Sequence, residues 1–269
     1  MSYPGGKGAS GVVQTIINQQ PPHDSYIEPF LGGGAIIRAK LPARHNEALD
    51  LDPDPLDAFN DRARFPYPRF QFHNACGLSF LAETQLQWGS RDLVYCDPPY
   101  PLSARCRRNR RLYRYEMNDH DHRSLLILVR SLRCMVQISS YWNPLYAQML
   151  EGWRLIRFQA MTRGGLKEEC LWMNYPEPVV LHDYRFLGVD YRERERIRRK
   201  TARWTARIAA LPKLERLALL SAMIAETSKN GEPGSRGESS DVRRPSPAAS
   251  TLLATTDRSS AEMAGGSAL

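Results

Sequence analysis

The segment VYCDPPY, residues 94–100, ends an apolar run with an acid, two prolines and a tyrosine. The first three residues are typical of a buried strand, but Pro98 and Pro99 lack the amide hydrogen that a sheet ladder needs. Because proline disfavours helical backbone in the residue before it, Asp97 and Pro98 stay extended. The sequence therefore predicts a strand that stops at Asp97 and presents a carboxylate and a carbonyl group, with the ring of Tyr100 beside them.

Strand-like and helix-like segments alternate along residues 24–176. Seven apolar runs have the length and composition of strands: 25–30, 47–52, 69–74, 92–97, 134–140, 154–160 and 169–175. Six segments have the composition of helices: 9–18, 33–39, 55–62, 78–88, 119–132 (with Asp119 as N-cap) and 144–150. This alternation predicts an α/β fold with a mainly parallel sheet that is covered on both faces. Gly164 and Gly165, between the last two strands, predict a hairpin and hence an antiparallel edge.

The composition divides the chain into three parts. Residues 1–178 carry the alternating pattern of a single domain, and a hydrophobic content of 42% is enough for a core. Residues 179–226 are basic and helical in composition, with a break at Pro212 and an apolar second half. Serine, glycine, proline and alanine dominate residues 227–269, which predicts a disordered tail.

Positive charge is concentrated in two stretches of the chain. The formal net charge is +8, and residues 185–216 alone contain eleven Lys or Arg against four Asp or Glu. The second stretch, SARCRRNRRLYR, contains arginines without an acid among them: Arg105, Arg107, Arg108, Arg110, Arg111 and Arg114. Such clusters indicate a polyanionic partner, and these arginines are the candidate nucleic-acid contacts, although solvated basic faces are also common.

The cysteine and hydropathy patterns argue against several classes of protein. The five cysteines form no CxxC pair, which disfavours a zinc site and a disulfide framework. No run of about 18 apolar residues is present to span a bilayer, and the first residues, MSYPGGKGAS, lack the features of a signal peptide. We therefore expect a cytoplasmic protein with no metal and no membrane partner.

Two further strand ends carry ligand-binding patterns. The first strand runs into EPFLGGG, residues 28–34, whose glycines allow a tight turn and a close backbone approach to a ligand before a helix. The second ends in LDLD, where Asp50 follows Gly32 by 18 residues. An acid at about this distance binds ribose hydroxyls in nucleotide-binding α/β folds, and the alternative role for Asp50 is a helix N-cap.

Together with YPGGK at residues 3–7, EPFLGGG followed by DPPY resembles the Dam-type DNA adenine N6-methyltransferases. The later stretches HDHRSLLILVRSLRCMVQISSYWNP and GGLKEECLWMN look like the second half of phage and prophage adenine methylases. The likeness covers about residues 1–178. It implies a Rossmann-like, seven-stranded S-adenosylmethionine-dependent methyltransferase sheet, and a DNA partner whose target adenine is flipped out of the helix.

The resemblance also implies roles for individual residues. Asp97 and Pro98 would accept the two hydrogens of the adenine amino group. Pro99 would stiffen this rim, and Tyr100 would stack on the flipped base. Contacts to S-adenosylmethionine are implied for the following residues: Tyr3, Lys7, Glu28, Pro29, Phe30, Gly32, Gly34, Asp50, Cys76 and Asp97. Relatives usually have an aspartate at the position of Cys76, and a thiol is a weak acceptor.

The substrate polymer and the means of site recognition stay open at this point. Members of the family with a defined site carry a long insertion before DPPY, whereas fewer than 45 residues separate Asp52 from Asp97. Recognition of sequence would have to come from the six arginines or the C-terminal helices. Two alternatives remain, an RNA adenine N6-methyltransferase, because DPPY specifies only an exocyclic amine, and a catalytically silent nucleic-acid-binding protein, which Cys76 favours.

Overall fold

The computed structural model of the chain describes residue 7 and residues 11–62, 70–105, 111–162 and 165–229. Four of the candidate site residues lie outside these ranges: Tyr3, Arg107, Arg108 and Arg110. The predicted disordered tail also lies outside them from residue 230 onward, as does Gly164 of the predicted hairpin turn.

One sheet contains all seven strands of the described ranges. They are β1 (Ser25–Glu28), β2 (His45–Asp50), β3 (Phe70–Asn74), β4 (Asp92–Cys96), β5 (Met135–Ser140), β6 (Arg154–Thr162) and β7 (Gly165–Met173). The order across the sheet is β3-β2-β1-β4-β5-β7-β6, and β7 runs antiparallel to both of its neighbours. The strand order reverses between β1 and β4, which pair in parallel. The predicted fold class, a Rossmann-like α/β sheet of seven strands, is confirmed.

Helices cover both faces of this sheet. The described ranges contain the α-helices α1 (Val12–Ile17), α2 (Ala35–Ala39), α3 (Pro53–Arg62), α4 (Gly77–Thr84), α5 (Asp119–Ser131), α6 (Pro144–Met149), α7 (Tyr191–Ala209) and α8 (Lys213–Lys229), of which the first six lie on the sheet. On one face, α1, α2 and α3 pack on a cluster that contains Tyr26 and Tyr95. On the other face, α4, α5 and α6 pack on a cluster that contains Val94 and Cys96. Burial on both sides explains the continuous apolar run at β4.

Two local details differ from the sequence prediction. The N-cap of α5 is Asn118 rather than Asp119, because the Asn118 side chain accepts hydrogen bonds from the amides of His120 (2.8 Å) and Asp121 (3.0 Å). The Asp121 carboxylate in turn accepts a hydrogen bond from the Asn118 amide at 2.9 Å, which completes a capping box. Strand β7 also begins earlier than predicted, because its pairing with β6 continues to the end of the hairpin, where Thr162 faces Gly165.

The first compact unit of the chain, Met1–Ala210, extends beyond the predicted boundary at residue 178. Residues 179–190, which we call the return segment, pack against loops that precede β1 and β2. The amide of His182 donates to the carbonyl of Gln20 at 2.9 Å. The buried carboxylate of Asp183 accepts a hydrogen bond from the amide of Leu41 at 2.8 Å. The return segment is therefore part of the same unit as the sheet.

The second compact unit begins at Leu211 and contains α8. A non-helical break at residues 210–212 separates α7 from α8, in agreement with the break predicted at Pro212. Helix α8 continues to Lys229, three residues into the predicted tail. None of the described helices has the length and hydropathy that a membrane span requires.

The turns that follow β1 and β3 approach each other closely at Pro29 and Gly77. A Cβ atom added to Gly77 would lie 2.3 Å from the carbonyl oxygen of Pro29 and 3.0 Å from its Cβ. Gly77 is buried and begins α4. Close backbone contact therefore requires glycine at this position, and the contact fixes the start of α4 against the turn after β1.

Gly77→Ala is expected to lower the free energy of unfolding by about 1–3 kcal/mol, because the added methyl group forces the Pro29 turn or α4 to shift. Chemical denaturation measures the change. Gly89→Ala is the matched control, since the nearest atom to its added Cβ is Asp92 Oδ2 at 3.9 Å. Equal stability changes in the two variants would contradict the close contact at Pro29.

Candidate active site

A cavity of about 200 Å³ lies at the carboxyl ends of β1, β2 and β4, where the strand order reverses. Ligands of open α/β sheets bind at such a reversal. The lining includes every described residue for which a cofactor contact was predicted: Lys7, Glu28, Pro29, Phe30, Gly32, Gly34, Asp50, Cys76 and Asp97. Three strand ends that are distant in sequence thus contribute to one cavity.

The glycine turn after β1 is fixed by the carboxylate at the end of β2. Gly32 and Gly34 have φ values of 47° and 61°, a left-handed conformation that favours glycine. Asp50 Oδ2 accepts a hydrogen bond from the Gly32 amide at 2.8 Å, and Asp50 Oδ1 accepts one from the Asp52 amide at 2.9 Å. Burial raises the pKa of Asp50, and these amide hydrogen bonds oppose the increase. Each carboxylate oxygen keeps a further lone pair that a ligand hydroxyl can use.

Glu28 places a second acid in the cavity wall at the end of β1. Its side chain is buried, and the Tyr26 hydroxyl donates to its Oε2 at 3.1 Å. Burial raises the pKa of Glu28 to about 8, and the nearby charge of Asp97 adds to this increase. Glu28 therefore carries a proton at neutral pH and can donate a hydrogen bond as well as accept one.

Cys76 lines the cavity as the N-cap residue of α4. Its backbone is extended, as an N-cap requires, but its side chain makes no capping hydrogen bond. An aspartate or serine at an N-cap accepts hydrogen bonds from the first amides of the helix, which a thiol does only weakly. The first turn of α4 consequently has no side-chain cap in this chain.

A buried ammonium group lies between two carboxylates beside the end of β4. Lys7 Nζ is 2.7 Å from Asp97 Oδ1 and 3.4 Å from Glu169 Oε2, and the lysine side chain is 4% exposed. The Tyr100 hydroxyl accepts a hydrogen bond from Lys7 and donates to Glu169 Oε2 at 3.1 Å. We call these four residues the lysine cluster. Sequence analysis identified its other members but missed Glu169, which lies on β7.

The charges of the lysine cluster depend on one another. Burial disfavours the charged form of Lys7, but Asp97 and Glu169 outweigh this effect and raise the pKa of the lysine above its ordinary value. Burial raises the pKa of Asp97, while the Lys7 ammonium opposes that increase. With both acids ionised, the cluster carries a net charge of −1, which favours a cationic ligand nearby.

Tyr100 lies in the protein interior rather than on an open face of the cavity. Its side chain is 6% exposed, and Lys7 Nζ is 4.6 Å from the centroid of its ring. The ring of Tyr141 packs against it at 4.7 Å with an interplanar angle of 74°. The surface on which a flipped base was predicted to stack is therefore covered in this structure.

Arg105 differs most from its predicted role as a nucleic-acid contact. Its side chain is 5% exposed, and its guanidinium group donates to both oxygens of Glu116, at 2.9 and 2.6 Å. Arg105 Nε also donates to the Tyr100 carbonyl at 2.8 Å. Glu116 in turn accepts hydrogen bonds from the amides of Leu112 and Tyr113. This arrangement, the Arg105 clamp, joins the chain after DPPY to residues 112–116 and leaves its arginine inaccessible to phosphate.

The other described arginines of this stretch are exposed. Arg111 is on the surface, and Arg114 is 58% exposed. Arg114 Nη1 lies 3.2 Å from Asp52 Oδ1, so this guanidinium is already paired with an acid of the cavity wall. The neighbouring side chains of Tyr113 and Tyr115 line the cavity. Arg114 therefore lies beside the cavity wall, and Arg111 is two residues from the cavity-lining Tyr113.

Comparison with known proteins gives only distant likenesses. No protein-family model matches the chain, and no curated protein matches it. Among solved structures, it is similar to precorrin-8w decarboxylase from Methanobacterium thermoautotrophicum (11% identity, TM-score 0.42, 65% of this chain and 94% of that chain). It is also similar to magnesium protoporphyrin IX methyltransferase from Synechocystis PCC 6803 with bound SAM (12%, 0.39, 61% and 76%) and to the N-methyltransferase NodS from Bradyrhizobium japonicum WM9 (12%, 0.41, 62% and 92%). These similarities are too low to decide an activity or a substrate.

Within the described ranges, no three or more His, Cys, Asp and Glu residues are grouped so that they could hold a metal ion.

Lys7→Met is expected to lower the free energy of unfolding at pH 7 by about 3–5 kcal/mol, as for other buried ion pairs that lose one partner. Without the cation, nothing offsets the effect of burial and of the Glu169 charge, which both raise the pKa of Asp97 in the folded variant. The folded variant then binds a proton that the unfolded chain has released, so its deficit relative to wild type becomes smaller as the pH falls from 7 to 5. Chemical denaturation at both pH values measures this.

A second substitution tests whether the lost stability comes from the uncompensated charges of the lysine cluster. Glu169→Gln, added to Lys7→Met, leaves one buried charge instead of two and should recover part of the lost stability. Lys213→Met, at an exposed lysine of α8, is the control and should change stability by no more than about 0.5 kcal/mol. A deficit that is the same at both pH values and in the double variant would contradict this account.

Proposed function

We propose that the protein is an S-adenosylmethionine-dependent methyltransferase that methylates N6 of adenine in DNA. One observation carries the proposal: a single cavity joins the glycine turn after β1, the Asp50 carboxylate after β2 and the Asp97 carboxylate of DPPY after β4. This order of motifs resembles the Dam-type enzymes. The cavity also lies at the reversal of strand order, where α/β folds bind nucleotides.

The side chains of the cavity suit the parts of S-adenosylmethionine. The glycine turn allows backbone atoms to approach the methionine part closely, and protonated Glu28 can donate a hydrogen bond there. Asp50 is held by two amides and retains lone pairs for the ribose hydroxyls. Cys76 and Leu78, at the start of α4, would lie against the adenine part. The carboxylates of Asp50, Asp52 and Asp97 favour a ligand with a positively charged sulfonium.

S-adenosylmethionine, when bound, supplies an electrophilic methyl group. The protein's task is to make the adenine amino group nucleophilic, because its lone pair is delocalised into the ring. Asp97 Oδ1 is engaged by Lys7, so Oδ2 remains to accept one amino hydrogen, and the Pro98 carbonyl accepts the other. Two acceptors in these directions favour a pyramidal nitrogen with a directed lone pair. Proline at positions 98 and 99 keeps both acceptors on extended backbone.

The lysine cluster supports this step electrostatically. Positive charge develops on the amino nitrogen as the methyl group arrives, and a cluster with a net charge of −1 stabilises it. Asp97 Oδ2 can then take the proton that the methylated amine loses. Lys7 keeps Asp97 oriented, and Glu169 prevents the ammonium from cancelling the negative charge of the site. Tyr100 takes part through its hydroxyl, which accepts from Lys7 and donates to Glu169, whereas its ring is covered by Tyr141.

A transfer assay with three substrates tests the proposed activity. Labelled S-adenosylmethionine is incubated with the protein and duplex DNA, single-stranded DNA or RNA of the same sequence, and the modified nucleosides are identified by mass spectrometry. We expect N6-methyl-deoxyadenosine from duplex DNA. Faster transfer to RNA adenines would favour the RNA methyltransferase alternative. Binding of nucleic acid without any transfer would favour the silent binding protein.

Asp97→Ala is expected to lower methyl transfer at least about 100-fold, as does removal of other preorganised polar groups from active sites. The cavity still provides Asp50 and the glycine turn, so we expect S-adenosylmethionine affinity to change much less. Transfer rates and calorimetry measure the two effects separately. Asp54→Ala is the control, because Asp54 is an acid whose side chain is 81% exposed. A near-wild-type rate for Asp97→Ala would exclude the proposed mechanism.

Cys76→Asp is expected to tighten S-adenosylmethionine binding by about 1 kcal/mol, roughly fivefold, because the carboxylate offers the adenine amino group a better acceptor. Cys76→Ser is the matched control, because serine also caps α4 but carries no charge. Both variants should raise the thermal midpoint, and only the aspartate should markedly tighten binding in calorimetry. Weaker binding by Cys76→Asp would mean that the adenine part of S-adenosylmethionine does not contact residue 76.

A further inference from the structure

Helix α7 carries a row of cations on one face. It contains eight Lys or Arg against two Glu. At 3.6 residues per turn, six of the cations fall within an arc of about 100°, and they extend over about 22 Å of the helix. These residues, all exposed, form what we call the α7 ridge: Arg192, Arg196, Arg199, Lys200, Arg203 and Arg207.

The protein itself neutralises only part of this charge. Glu193 pairs with Arg196 at 3.1 Å, and Glu195 pairs with Arg199 at 2.7 Å. Within the described part of the chain, Arg192, Lys200 and Arg203 have no acid within ion-pair distance. Like charges three or four residues apart on a helix repel each other. The unpaired cations of the α7 ridge therefore repel their neighbours in the free protein and are suited to a polyanion.

The return segment brings α7 to the edge of the sheet that holds the cavity. The Phe186 carbonyl accepts a hydrogen bond from Asn18, at the end of α1, whereas Arg194 Nη2 lies 4.0 Å from the position of a Cβ on Gly11, at the start of α1. The chain therefore runs back along α1. Gly11 is four residues from Lys7, a chain distance of about 14 Å at most. The Arg194 guanidinium group at the start of α7 thus lies within about 20 Å of the Lys7 Cα atom.

The pattern fits a nucleic-acid backbone better than a lipid surface. A membrane-binding helix needs a broad apolar face opposite its cations. Helix α7 instead has two further arginines, Arg194 and Arg198, and two threonines there, beside the partly buried isoleucines at 197 and 208. Its exposed Trp204 stacks with Arg207, whose guanidinium carbon is 5.3 Å from the ring centroid. We infer that the α7 ridge binds the phosphate backbone of duplex DNA beside the cavity, an inference that rests on the proposed function.

The salt dependence of DNA binding tests the inference on the full-length protein. The variant Arg192→Gln/Lys200→Gln/Arg203→Gln removes three unpaired cations and keeps helix-forming side chains. The control, Arg44→Gln/Arg130→Gln/Arg133→Gln, removes three exposed arginines near the amino ends of β2 and β5, at the opposite edge of the sheet. Affinity for a fluorescent 20-base-pair duplex is measured between 50 and 300 mM salt. Circular dichroism verifies that both variants retain their helix content. The same salt titration is repeated with anionic phosphatidylserine vesicles in place of the DNA duplex.

We expect the slope of log K against log salt to fall by about two to three for the ridge variant and by less than one for the control. An unchanged slope, an equal fall in the control, or tighter binding of wild type to the vesicles than to DNA would overturn the inference. Methyl transfer is measured in parallel. If methyl transfer is observed but the salt slope of the ridge variant is unchanged, only the inference about the α7 ridge is refuted. If the salt slopes are as expected but no methyl transfer is observed, the α7 ridge is supported and the proposed function is refuted.

Discussion

The arrangement of the cavity depends on one buried ammonium group. Lys7 connects the N-terminal residues to Asp97 at the end of β4 and to Glu169 on β7, which enters the sheet in the opposite direction. An isolated buried charge costs several kcal/mol, so none of these groups is stable there without the others. The same contact sets the orientation of Asp97 and leaves one of its oxygens unengaged by Lys7. Stability and the geometry of the proposed chemistry therefore have a common origin.

Features that rest on local chemistry could be predicted from the sequence. Proline ended β4 near Asp97, glycines with positive φ marked the turn after β1, and apolar runs located all seven strands to within a few residues. The position of the cavity could be predicted from these features, because the carboxyl ends of parallel strands meet at one edge of the sheet. The return segment and the length of β7 depend on pairing with distant residues, and no local pattern defined them.

Arg105 and Glu169 show what composition leaves undetermined. Arg105 belongs to an arginine-rich stretch, yet Glu116 makes it an interior residue while Arg111 stays on the surface. Glu169 had a usable signal, because strand alternation puts it on the same face as the buried Leu171 and Met173. An acid at such a position implies a buried partner, which is either a cation or a hydrogen-bond donor. Its identity as Lys7, 162 residues earlier, required the structure.

The contacts of the return segment affect how the protein can fold while it is being synthesised. Residues near 182–186 contact Gln20, Leu41 and Asn18, so the first and last parts of the core are neighbours in space. Such contacts between distant parts of a chain slow folding, because long loops must close before they are stabilised. During synthesis, most of the sheet leaves the ribosome before these partners are available. The nascent chain therefore exposes an incomplete core until about residue 186 has emerged, which makes this interval the one in which a chaperone has most to protect.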